Sequence, residues 1–86
     1  MQRARDTRLL ERDTLTSATG PVADVVTYKT RRAGSTWSYA TLIIGYSASG
    51  VADRALSFRW SSLAIAVAEH RGLCLAIHES GFESLQ

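Results

Sequence analysis

The chain has 86 residues, with 45% hydrophobic and 21% charged side chains, and this length and balance fit one globular domain and exclude wholesale disorder. A formal net charge of +2 does not by itself argue for nucleic acid, yet nine of the ten basic residues are Arg, the side chain suited to bidentate contact with carboxylate or phosphate. The single cysteine, Cys74, excludes an intrachain disulfide and favours a reducing compartment. Residues 2–15 hold no apolar stretch of signal-peptide length, and the longest apolar runs, 42–44 and 63–68, are too short to span a bilayer, so a cytoplasmic protein without a membrane segment is expected.

Residues 1–20 are polar and Arg-rich, and read as an N-terminal arm or short, loosely docked helix ending at Gly20-Pro21. Residues 21–86 then form a single α+β domain. The β-branched run 22–31 predicts a strand, and Arg32-Ala33-Gly34-Ser35 a hairpin loop. A second strand is expected over 36–47. It carries Trp37, Tyr39, Thr41 and Ile43 on one face and Ala40, Leu42, Ile44 and Tyr46 on the other, the pattern of a central strand. Residues 51–60 fit both periods; a strand over 53–60 is preferred to one long helix over 51–71. A helix follows over 61–71, with Ser61 as N-cap and Gly72 as its stop. Leu73, Leu75 and Ile77 alternate with Cys74, Ala76 and His78, predicting a final strand. The expected architecture is β-β-β-α-β. It is a small antiparallel or mixed four-stranded sheet with one helix on a face, the last strand returning parallel to the third. The tail 79–86 is polar, with Phe82 and Leu85 able to dock.

Few residues in this chain suggest chemistry. Gly45-Tyr46-Ser47-Ala48-Ser49-Gly50 is a near miss to a nucleophile elbow, with Ser49 where the second glycine belongs. A hydrolase using Ser47 with His70 or His78 is therefore a remote alternative to a simple Ser/Gly turn. His70, Cys74 and His78 recur every four residues and would suit zinc on a continuous helix. Gly72 and the strand pattern over 73–78 argue against that helix, so no metal and no cofactor is expected. Asp24 and Asp53, each near a turn, read as solvated groups or as partners of neighbours such as Arg54.

The strongest surface signal is the first hairpin. Lys29, Arg31 and Arg32 lie next to Trp37 and Tyr39, and Arg54 and Arg59 on the third strand extend the patch. Trp, Tyr and Arg are the usual anchors of protein interfaces. The expected function is accordingly a small non-catalytic protein-binding module or inhibitor, with a homodimer also compatible with exposed strands. In size and style alone the chain is similar to phage and mobile-element inhibitors of host systems, anti-CRISPR proteins included. The alternative is a nucleic-acid-binding accessory protein that uses the same hairpin with the arm residues Arg3, Arg5, Arg8 and Arg12.

Overall fold

Four strands, β1 (Arg5–Ser17), β2 (Gly20–Arg32), β3 (Ser38–Tyr46) and β4 (Ala52–Trp60), pair in chain order into one antiparallel sheet. A helix, α1 (Leu63–Ser80), packs on one face, and a short 3-10 turn at Phe82–Leu85 closes the chain. The computed structural model describes residues 5–86. The α+β class, the four-stranded sheet and the single helix are as the sequence predicts.

The order of elements differs from the expected one at both ends. The segment read as a polar arm is β1, paired along its length with β2. Thr7, Thr14 and Thr16 supply β-branched residues. Arg5, Asp6, Arg8, Glu11, Arg12 and Asp13 give it the charged character of a protected edge strand. The segment 73–78 is helical, not a strand, so no parallel return exists in the sheet. The alternation there misleads because Leu73 and Ile77 are buried while Leu75 is 56% exposed. Ala66, His70, Leu73 and Ile77, at helical spacing, form the buried stripe. Burying two large aliphatic side chains is worth roughly 1.5–3 kcal/mol each, which outweighs the cost of about 1 kcal/mol for Gly72 within a helix. The cap is Ser62, not Ser61: its Oγ accepts from the Ile65 amide at 3.2 Å. The helix stops at Gly81, where φ is +81°.

Ladder register fixes what shares a face. On the helix side the rows are Glu11–Thr27–Thr41–Phe58, Asp13–Val25–Ile43–Leu56 and Leu15–Ala23–Gly45–Arg54. Val25, Ile43, Ala23, Leu73, Ile77 and Phe82 are the buried core. A register shift between Leu9 and Glu11 inserts one extra residue into β1. Before it, odd-numbered positions of β1 face away from the helix; after it, Glu11, Asp13 and Leu15 face the helix.

A polar chain crosses this core. The Trp60 indole N–H donates to Thr41 Oγ1 at 2.9 Å, Thr41 meets Thr27 at 2.6 Å, and Thr27 meets His70 Nδ1 at 2.7 Å. On its other side His70 Nε2 lies 2.8 Å from Asp13 Oδ2. Thr27, Thr41 and His70 have no solvent exposure. An indole nitrogen only donates, so one assignment satisfies every member. Each hydroxyl donates to the next group, Thr27 donates to Nδ1, and the ring proton sits on Nε2 toward Asp13.

Candidate binding surface

The helix covers one side of the sheet and leaves the other open. Register places Leu9–Tyr28–Ala40–Arg59, Arg12–Val26–Leu42–Ser57 and Thr14–Asp24–Ile44–Ala55 in successive rows on that open face. Val26, Leu42 and Ile44 form a half-buried aliphatic strip, and Leu9 is 62% exposed beside it. The strip exists because β2 and β3 are apolar on both faces while only one face receives the helix.

One end of the sheet is strongly basic. The start of β1, the end of β2 and the end of β4 meet there, bringing Arg5, Arg8, Lys29, Arg31, Arg32 and Arg59 together with a single acid, Asp6. Arg5, Arg32 and Arg59 stand on the open face; Arg8, Lys29 and Arg31 stand on the helix side, past the helix. Trp37, in the loop after β2, holds Lys29 and Arg31 in place. Lys29 Nζ lies 4.4 Å and the Arg31 guanidinium 4.1 Å from its ring centroid, in cation–π contact. Arg31 also pairs with Asp6 at 3.6 Å. Tyr39 lies in the row Arg8–Lys29–Tyr39–Trp60 and is half-buried. Between Arg5 and Arg59 a pocket of about 500 Å³ opens over Tyr28, Thr30, Ser38 and Ser57.

Six of the seven residues singled out in the sequence therefore lie at one end of the sheet: Arg32 and Arg59 on the open face, Lys29, Arg31 and Tyr39 on the helix side, and Trp37 against Lys29 and Arg31. Arg54 does not. It sits near the other end of β4, opposite Gly45, where it bonds Glu83, pairs with Asp53 at 3.2 Å and stacks 4.6 Å from the Phe82 centroid. Bonding to Glu83 raises its pKa and lowers that of Glu83. Arg5 and Arg8, assigned to an arm by sequence, belong to the basic end because β1 pairs beside β2. The strand signal in the segment 5–16 is confined to Thr7, Thr14 and Thr16 among its charged residues.

Asp24 is buried on the open face, not solvated near a turn. It accepts from Tyr46 Oη at 2.5 Å and Thr14 Oγ1 at 2.7 Å, with Arg12 at 3.9 Å. These bonds, the Tyr46 one foremost, hold its carboxyl below the usual range against the opposing effect of burial. Ser47 lies in the β3–β4 turn. Its hydroxyl meets Ser49 Oγ at 2.9 Å and accepts from the Val51 amide at 3.3 Å. His70 is engaged by Thr27 and Asp13, and Thr27 is closed to solvent, so no substrate can reach that hydroxyl. Cys74 is half-buried, its thiol pushed up to about 11 by burial first and then by Asp13 and Glu11.

Among the described residues no helix is long and apolar enough to cross a membrane. No protein-family model, curated protein or solved structure matches this chain.

Proposed function

We propose that the chain is a non-catalytic binding module that docks an acidic surface of a partner protein onto the open sheet face and its basic end. The observation that carries this reading is the pairing of an uncovered aliphatic strip with a basic sheet end at which Arg5, Arg32 and Arg59 share its face. An apolar centre with a charged rim is the anatomy of a specific protein interface. The rim steers an acidic partner, and Arg and aromatic anchors carry most of the affinity. Trp37 contributes by fixing Lys29 and Arg31 before the partner arrives, which reduces the ordering cost of binding. An inhibitor built this way acts by covering its target's acidic surface. A single cysteine suits a reducing compartment such as the cytoplasm.

The test is affinity capture from the native host with nuclease present, comparing wild type with Arg32→Glu and Arg59→Glu. A protein retained by wild type and lost from both variants supports the proposal. Equal recovery by all three overturns it. Sedimentation of the pure protein identifies a second copy as the occupant if it runs as a dimer that Leu42→Glu dissociates.

Tyr28, between Arg5 and Arg59 at the pocket, favours one other reading: a single nucleic-acid strand with a base on the ring and phosphates on the arginines. Fluorescence anisotropy with a single-stranded oligonucleotide decides it. Binding that falls steeply with salt, with a slope reduced by about one on Arg59→Ala, selects this reading.

A further inference from the structure

We propose that Glu11, Asp13, His70 and Cys74 form a zinc site that ties the edge strand β1 to α1. Asp13, His70 and Cys74 each offer a donor atom, and these atoms lie within 4.8 Å of one another. His70 Nε2 is 2.8 Å from Asp13 Oδ2 and 3.5 Å from Glu11 Oε2, and Cys74 Sγ is 3.9 Å from Asp13 Oδ2. Tetrahedral zinc with bonds of about 2.0–2.3 Å sets donor-to-donor edges of roughly 3.3–3.6 Å. These three separations straddle that range, and Glu11, which lies outside the 4.8 Å cluster, must move inward to complete the shell.

Two features point to a ligand and not to a hydrogen-bonded cluster alone. Glu11 Oε2 is shut off from solvent and has no hydrogen-bond partner. The Glu11 side chain as a whole is one-third exposed, and a cation between this shielded oxygen, Asp13 and His70 supplies the partner it lacks. The bulge in β1 is the second feature. Were Leu10 paired in the ladder, Glu11 and Asp13 would face away from the helix; because the bulge leaves it out, both face the side of His70 and Cys74. Helical spacing does the rest, since residues 70 and 74 stand one turn apart on α1. His78, the third member of the repeat in the sequence, is exposed on the next turn and is not part of the cluster.

The nitrogen, sulfur and oxygen donors suit Zn²⁺ better than Ca²⁺ or Mg²⁺, which take oxygen alone. Binding releases the Cys74 thiol proton to solvent. The His70 ring stays neutral but carries its proton on Nδ1, freeing Nε2 for the metal. Thr27 then accepts from Nδ1 and donates to Thr41, which also accepts from Trp60; the Thr41 hydroxyl proton loses Thr27 as its acceptor, a cost the metal bonds offset. Four protein donors close the coordination sphere, so the site is structural.

The experiment uses untagged full-length protein, stripped with chelator and shown to be folded by circular dichroism. Titration with Zn²⁺ is expected to show one site and to raise the unfolding midpoint. Co²⁺ is expected to give a thiolate-to-metal charge-transfer band, absent in Cys74→Ser. Asp13→Asn weakens binding by roughly tenfold or more, and His78→Ala leaves it unchanged. Nitrogen chemical shifts of His70 move the ring proton from Nε2 to Nδ1 on loading. The proposal is overturned if folded wild-type protein shows no thiolate band and no midpoint shift with excess metal. It is equally overturned if Cys74→Ser binds as tightly as wild type or His78→Ala abolishes binding.

Discussion

The ring of Phe82 fills the space that a side chain at position 45 would need: a β-carbon on Gly45 would sit 3.0 Å from Phe82 Cδ2 and 3.1 Å from Cε2. Gly45 is therefore the floor on which the C-terminal turn rests, and Phe82 is almost wholly buried there under Arg54. Gly45→Ala is expected to displace the ring and destabilise the protein by about 1–3 kcal/mol. Urea unfolding measures it; an unchanged midpoint would show that the turn does not depend on this contact.

Gly72 gives the opposite expectation. It lies inside α1, and a β-carbon there would meet nothing within 4 Å. Gly72→Ala should stabilise the fold by about 0.5–1 kcal/mol through helix propensity alone. Thermal unfolding should register a rise of several degrees, and a fall would contradict a continuous helix through this position.

The Asp24 carboxyl, held below its ordinary 3.8 by Tyr46 and Thr14, gives a pH signature. A carboxyl depressed on folding contributes stability that is fully present above its unfolded pKa and lost as pH falls through the folded value. Wild type should therefore lose stability on acidification below about pH 4, and Tyr46→Phe should lose less, because it starts with less at pH 7. Unfolding midpoints of the two proteins should converge toward pH 2. Parallel curves across that window would remove Asp24 from the account.

Arg54 and Arg59 lie on the same strand and separate two roles. Arg54→Ala breaks the contacts to Glu83 and Phe82, so it should lower the unfolding midpoint and leave partner binding unchanged. Arg59→Ala should do the reverse, weakening binding while sparing stability, since its side chain is exposed. A calorimetric titration of both variants against the captured partner, with their melting curves, checks the pair together.

Much of the fold was legible because β2 and β3 carry β-branched and aliphatic residues on both faces, and because the turns at Gly34 and Gly50 use positive φ as their residue types suggest. β1 was not legible, because an edge strand gains its order from pairing and carries little apolar signal of its own. Helix and strand periods coincide over Leu73, Leu75 and Ile77, and only the position of the sheet decides which of them is buried. The basic hairpin was visible as a charge cluster. The buried Asp24, the chain from Trp60 to Asp13 and the removal of Arg54 from the patch all depend on contacts between residues far apart in sequence. The recurrence of His70, Cys74 and His78 was visible but was set aside for a strand over 73–78, and Glu11 and Asp13, which face His70, lay in a segment read as an arm or short helix.

The extra residue in β1 gives this short chain a dependence on counting as well as on composition. If Leu10 were taken into the ladder opposite Thr27, the bulge would vanish, Glu11 and Asp13 would turn away from the helix and Arg12 would turn toward it. His70 and Cys74 would then face a guanidinium where two carboxylates now stand. A one-residue slip of the edge strand would thus reverse the sign of charge presented to the helix, with the amino-acid sequence untouched.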